Sequence, residues 1–313
     1  EVLPATSGND KASILAALDR LEPGGSTAGG QGINLAYQIA QQNFLPNGNN
    51  RIILVTDGDF NVGVSSTKEL QTLVEEKRKG SVFLSCIGIG GNNYRDNMLE
   101  TLADKGNGNY SYIDTPQEAD KIFVHQLTGT LYVIAKDVKL QLEFNPEHIK
   151  GYRLIGYENR MLATEDFDND QKDAGELGAN HTVTALYEVI GKDFDTDLPQ
   201  EPAKKPEKSK IYTQKNNPEL LTVKFRYKEP NETQSRLIEK PLQRLDMQKS
   251  MSNNFAWASC VAEFALLLRD SQFKGKAKYA DLLVRSQKAK GTDTSGYRQE
   301  CISLMEKASS LSK

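Results

Sequence analysis

Two oxygen-bearing side chains stand where chemistry could be done. Asp57 follows the apolar run Ile52-Ile53-Leu54-Val55-Thr56, and Thr27 lies inside the glycine-dense stretch Gly24-Gly25-Ser26-Thr27-Ala28-Gly29-Gly30-Gln31-Gly32. Both are hard ligands suited to Mg²⁺, Mn²⁺ or Ca²⁺. A strand that is apolar to its end and then presents a carboxylate places it at the carboxyl rim of an open α/β sheet, where such folds bind ligands. Glycines around Ser26 and Thr27 let the backbone come close to a bound group. Ordinary local roles fit the same residues, since Asp57 can start a turn through an Asx bond and Thr27 can cap the next helix. The residue types alone leave both readings open.

A second acidic stretch, from Glu165 to Glu176, sets Asp166, Asp168 and Asp170 at the first three spacings of a calcium loop. Its sixth position is Gln171 where glycine is required, and its twelfth is Leu177 where a chelating Glu belongs, so a solvated acidic loop is expected. Catalytic patterns are incomplete. Gly24-Gly25-Ser26-Thr27-Ala28 lacks the last glycine of a nucleophile elbow, Gly88-Ile89-Gly90-Gly91 lacks the last glycine of a dinucleotide fingerprint, and no P-loop occurs. His125, His148 and His181 are expected in structural or surface roles, and Trp257 in a core.

The elements that must hold these residues follow from periodicity. Ile52–Val55 reads as a strand buried on both faces, Val82–Ile89 as a second and Tyr110–Ile113 as a third. Between them run helical patterns: Ile14, Leu15, Leu18 and Leu21 behind a cap at Asn9 or Asp10; Ile33, Ala36, Ile39 and Ala40; Leu70, Leu73 and Val74 behind the capping-box sequence Ser66-Thr67-Lys68-Glu69; Met98, Leu99 and Leu102; and a helix from Pro116 to about Leu127. Alternating strands and helices mean βαβ units and a mostly parallel sheet between helices. From about residue 131 the period changes to two: Val138, Leu140, Leu142 and Phe144 alternate with polar residues, and 152–157, 182–190 and 220–227 are further strands of a β-rich, sandwich-like region. The proline-studded segment 195–218 reads as a mobile excursion. The last sixty residues form a helical cap, with stripes at Trp257, Val261, Phe264 and Leu268, at Tyr279, Leu282 and Leu283, and at Tyr297, Cys301, Leu304 and Met305. The expected domains are 1–130, 131–250 and 251–313.

At 313 residues, 38% hydrophobic and 26% charged, the chain can bury a core in each domain and has no apolar run long enough to span a bilayer. Its net charge of −3 with interspersed signs implies no nucleic-acid face. Cys86, Cys260 and Cys301 are too few and too scattered for a disulfide framework or a zinc site.

Ile52-Ile53-Leu54-Val55-Thr56-Asp57-Gly58, preceded by Gly25-Ser26-Thr27 at the head of a helix, resembles the second half of a von Willebrand factor type A (VWA) domain, a Rossmann-like fold, over residues 1–128. The longer order, with Gly63, the run from Ala103 to Gly108 and the extension from 131 onward, resembles a bacterial subfamily of these proteins. The resemblance implies a metal-ion-dependent adhesion site in which Thr27 ligates the ion directly in the open state and Asp57 mostly through water, leaving a position for a protein partner's carboxylate. The family's first signature, Asp-x-Ser-x-Ser, does not occur in these 313 residues, so the match starts at the third strand of the fold. That implies a partial domain, Mg²⁺ (or Ca²⁺ or Mn²⁺) binding that is weak or absent in this chain, and an open edge on the Ile52 strand that residues of this chain or of another copy would cover, with self-association as a consequence. The function so implied is a non-enzymatic protein–protein interaction module, metal-dependent in its complete form. The alternative is a structural scaffold with a vestigial metal site that acts through its C-terminal region. A bacterial cell envelope or secreted location is implied, with the cytoplasm as the alternative.

Overall fold

The computed structural model describes residues 1–22, 28–46, 48–60, 63, 66–91, 94–157, 161–195, 201–202, 217–230, 232–247 and 250–312. In chain order these form α1 (Lys11–Leu18), α2 (Gly29–Gln42), β1 (Arg51–Thr56), α3 (Thr67–Lys77), β2 (Phe83–Ile89), α4 (Asp96–Lys105), β3 (Tyr110–Ile113), α5 (Pro116–Asp120), a π-helical turn (Lys121–His125) and α6 (Leu127–Leu131). They continue as β4 (Val133–Phe144), β5 (Ile149–Ile155), β6 (Gly175–Gly178), β7 (Leu186–Gly191), β8 (Glu201–Pro202), β9 (Glu219–Lys228), β10 (Arg236–Gln243), α7 (Asn253–Leu268), α8 (Tyr279–Ala289) and α9 (Tyr297–Leu311). The chain divides into two compact units: the first is Glu1–Lys136 with Ala174–His181 and Glu229–Asn231, and the second is the rest.

The first unit is built on a parallel sheet of order β1-β2-β3, in which Ile52 pairs with Leu84 and Cys86 with Tyr110. On one face Ile52, Leu54, Leu84, Cys86 and Tyr110 pack against Ile33 and Tyr37 of α2, Leu70 and Val74 of α3, and Leu99 and Leu102 of α4. Every one of those helical positions recurs at three- or four-residue spacing, which turns one stripe of each helix to the sheet. Ser66 caps α3 by accepting from Glu69 N at 3.3 Å, and Asp10 caps α1 by accepting from Ser13 N at 3.2 Å, so two orphan helix donors are satisfied as the spacing predicts.

Three expectations fail here. The Ile52 strand is not buried on both faces: Ile53 and Val55 are 41% and 49% exposed. Among the described residues β1 has a neighbour strand on one side only, and its second face borders a shallow groove lined by Ile53, Ile87, Ile122, Phe123 and Leu127. No strand among the described residues covers that edge, so the expected pairing with another part of this chain is not found. The stripe of α1 is likewise unburied, with Leu15, Leu18 and the following Leu21 all more than half exposed and Ala17 alone buried. Helical spacing guarantees a stripe but not a surface for it to meet.

In the second unit β9 pairs antiparallel with β10 and neighbours β4, while β5 pairs antiparallel with β7 and β8. The Phe144 ring of β4 stacks on Tyr152 of β5 at 4.2 Å and meets Tyr187 of β7 at 6.1 Å, which gives the sandwich-like contact that alternation called for. Outer strand β10 protects its edge with Glu239, Lys240 and Pro241, residues that discourage further pairing. In α7–α9 the buried centre is Cys260, Leu282 and Met305 with Phe264, Tyr279, Leu283 and Cys301 around it. Val261, Leu268 and Leu304, expected inside, are 39%, 58% and 53% exposed, and Ile302 is buried instead. Trp257 is half-buried beneath the Arg298 guanidinium, 5.3 Å from its ring centre. Most of the segment expected to be mobile, 196–200 and 203–216, lies outside the described residues.

Candidate functional site

Asp57 lies one residue beyond β1, exposed at the carboxyl lip of the parallel sheet. One carboxylate oxygen accepts from Asp59 N at 3.0 Å, and Thr56 Oγ1 accepts from Gly58 N at 3.1 Å. The local role is therefore real: Asp57 does begin an Asx turn. An Asx bond engages one of the two carboxylate oxygens, so the turn and a cation contact are compatible. Gly58, at φ +80°, makes the sharp exit from the strand, and a β-carbon there would come within 2.9 Å of Arg95 Cβ. Only glycine tolerates both conditions.

Thr27, the second expected ligand, lies outside the described residues. The helix just beyond it is described. Gly29 opens α2, and a β-carbon on Gly29 would run into the ring of Phe60, which is 7% exposed and three residues beyond Asp57. The start of α2 and the Asp57 turn thus meet at one lip. Sequence reasoning missed Phe60 as the wedge between them; a large aromatic residue just past a Thr-Asp-Gly-Asp turn was its one signal.

The rest of the lip is aromatic and charged. Arg95 N donates to Asp57 O at 3.0 Å, and its guanidinium lies 3.8 Å from the Asp59 carboxylate. Tyr112 donates to Gly90 O at 2.5 Å, its ring is 4.7 Å from that of Tyr94, Tyr94 and Tyr110 share a hydroxyl hydrogen bond, and Tyr110 donates to Asp96. Burial, followed by the hydrogen bond to Asp96, holds the Tyr110 phenol well above its usual range. Gly90 brings its backbone against Asp57, with a β-carbon there 3.2 Å from Asp57 Cβ. Among the described residues no three His, Cys, Asp or Glu side chains converge on a metal position. Of the two expected ligands, the described lip holds Asp57.

The second candidate, the acidic stretch at 165–176, is neither a calcium loop nor simply solvated. Its carbonyls and carboxylates are met by the protein's own cations. Lys139 donates to Asp166 O and Asn169 O at 3.0 and 2.6 Å, Lys228 to Asp170 O at 2.6 Å, and Arg226 to the Asp168 carboxylate at 2.5 Å. The histidines take structural or surface positions: His125 lies beside Asp120, His148 bonds to Asn217 O at 2.7 Å, and His181 is exposed. Within the groove beside β1, Ser85 and Ser111 meet no His, Asp or Glu among the lining residues.

Comparison with known proteins agrees with this architecture. Residues 1–125 match the von Willebrand factor type A domain family, and residues 129–311 match the family described as "Uncharacterized protein YfbK, C-terminal". The protein YfbK of Escherichia coli (strain K12) is 41% identical over 312 residues, covering 98% of this chain and 52% of YfbK. Inter-alpha-trypsin inhibitor heavy chain H3 of Homo sapiens is 27% identical over 178 residues, covering 54% of this chain and 20% of that protein. A solved von Willebrand factor type A structure from Catenulispora acidiphila covers 96% of this chain and 67% of its own, at 18% identity and a TM-score of 0.47. The chain spans about half the length of YfbK and a fifth of the heavy chain. With more than half its residues in the YfbK C-terminal match and a VWA match directly ahead of it, the chain belongs to the family of VWA proteins that carry the YfbK C-terminal domain.

Proposed function

We propose that the chain is a protein–protein interaction module without catalytic activity of its own. Its first unit contributes Asp57 to a cation-bridged contact with a partner's carboxylate, the rest of the ligand set coming from Thr27 and from VWA sequence beyond these residues. The observation that carries this reading is the exposed Asp57 at the sheet lip, one of whose carboxylate oxygens is engaged in the Asx turn. The VWA match over residues 1–125 supports it. The cation would be Mg²⁺, Ca²⁺ or Mn²⁺, bound weakly by this chain, because affinity tracks the number and charge of oxygen ligands.

The test measures Mn²⁺ by electron paramagnetic resonance, with the 313-residue chain and with a protein of the length of YfbK, each against its Asp57→Asn variant. The reading expects weak binding in the first, tighter binding in the second, loss of both on substitution, and partner capture that a chelator reverses. Capture that ignores both chelator and substitution would instead favour a scaffold that works through its C-terminal domain. That second reading is favoured by the internally neutralised cations of the second unit.

A further inference from the structure

In the second unit, β4 and β9 present a row of charged side chains to one face. Asp137, Lys139 and Glu143 alternate along β4, and Lys224, Arg226 and Lys228 along β9. Lys224 is neutralised by Glu143 at 2.6 Å and Glu239 at 3.5 Å. The other three cations face the segment around the 3₁₀ turn Thr164–Asp166. Lys139 and Lys228, only 3% and 7% exposed, lie among the most buried charged residues described.

Their partners are backbone carbonyls of this segment and nearby carboxylates. The Lys139 ammonium is held by two backbone carbonyls, Asp166 O and Asn169 O. The Lys228 ammonium sits between the Asp137 carboxylate at 2.7 Å and Asp170 O at 2.6 Å. Arg226 bridges Asp168 and the Ser235 hydroxyl, the latter at 2.8 Å, and lies 5.3 Å from the Phe167 ring centre. Phe167 is 4% exposed, and Ser235 N donates to Asp170 Oδ2 at 3.2 Å. A buried ammonium needs oxygen acceptors to offset its lost hydration, and converging carbonyls need a positive partner. Each requirement answers the other.

We infer that segment 164–172 is a strap fastened to the β4–β9 face by Lys139 and Lys228, whose tethered ammonium groups supply the positive charge that its carbonyls face. The second unit accordingly reaches its folded state without Ca²⁺ and does not respond to it. Any dependence of these 313 residues on a divalent cation then arises in the first unit. The inference stands whether or not Asp57 binds an ion.

The experiment compares the 313-residue chain with its Lys139→Met and Lys228→Met variants. It reads the cleavage rate at the strap by an Asp-directed protease, amide exchange over 164–172, and thermal melting followed by Trp257 fluorescence, with and without about 5 mM Ca²⁺, which saturates all but the weakest calcium modules. The wild-type chain is expected to give the same three readouts with and without Ca²⁺. Each variant is expected to lose strap protection by at least tenfold and to melt lower, Lys228→Met by about 6–20 °C, as for breaking a buried ion pair in a domain of this size. Calcium-induced protection of the wild-type strap that Asp168→Asn removes would overturn the inference. So would Lys→Met variants with unchanged cleavage and melting. Should either variant fail to fold, amide exchange of the wild-type strap decides alone: indifference to Ca²⁺ supports the lock and protection by Ca²⁺ refutes it.

Discussion

The close approach of Gly29 to Phe60 allows the lip of the first unit to be probed quantitatively. Phe60 is 7% exposed and belongs to the same core as Ile33, Leu70 and Leu99. Phe60→Ala should cost about 3–5 kcal/mol, the usual range for emptying a buried phenylalanine site. Gly29→Ala should cost about 1–3 kcal/mol, because its new methyl group runs into the Phe60 ring and a packed core resists overfilling. The two changes touch the same volume, so they should not add. Once the ring is gone the alanine methyl has room, and the double variant should be more stable than the sum of the singles by roughly 1 kcal/mol or more.

The assay needs a probe of the first unit. The single tryptophan, Trp257, lies in the second unit, so its fluorescence follows the wrong transition. Urea unfolding monitored by amide exchange in β2, with Trp257 fluorescence as an internal control, separates the two. Strict additivity, or a Gly29→Ala variant as stable as the parent, would show that α2 and the Asp57 turn do not share this contact. That result would remove the geometric basis for placing the start of α2 and the Asp57 turn at one lip.

Three further outcomes rest on individual side chains. Burial pushes the Cys86 thiol up to about 12 and raises those of Cys260 and Cys301, so a thiol reagent at pH 8 should leave native Cys86 unlabelled while denaturant exposes all three cysteines. Asn145, 1% exposed, donates to Glu219 O at 2.8 Å and accepts from Glu147 N at 3.0 Å; Asn145→Ala leaves both groups unpaired and should cost the second unit about 2 kcal/mol in urea unfolding. The hydroxyl and amide of Ser235 hold the Asp170 carboxyl below the usual carboxylate range. Because its folded pKa is depressed, the stability it contributes is present above about pH 4, drains as pH falls below that value, and should be missing from Asp170→Asn at every pH in an acid-unfolding series.

How much of this was legible in the sequence differs between the two units. In the first, β2, β3, α3 and α4 follow from period and punctuation, since a run such as Val82–Ile89 closed by glycines has few other ways to hide its side chains. The Asx turn at Asp57 and the cap at Ser66 were legible for the same reason, because each is settled within four residues. The failures at Ile53, Val55, Leu15 and Leu18 share one cause: periodicity tells which side chains lie on one face and is silent on whether anything covers it.

Local covalent and hydrogen-bonding rules thus determined where strands and helices begin, which face of each is apolar, and that a carboxylate stands at the end of β1. Tertiary structure alone decided that Phe60 fills the gap at Gly29 and that three tyrosines line the lip. It also decided that Lys139, Arg226 and Lys228, 27 or more residues in sequence from the groups they meet, supply the positive charge that Asp166–Asp170 face. Contacts across such separations depend on strand register and sheet order, which no short-range pattern encodes.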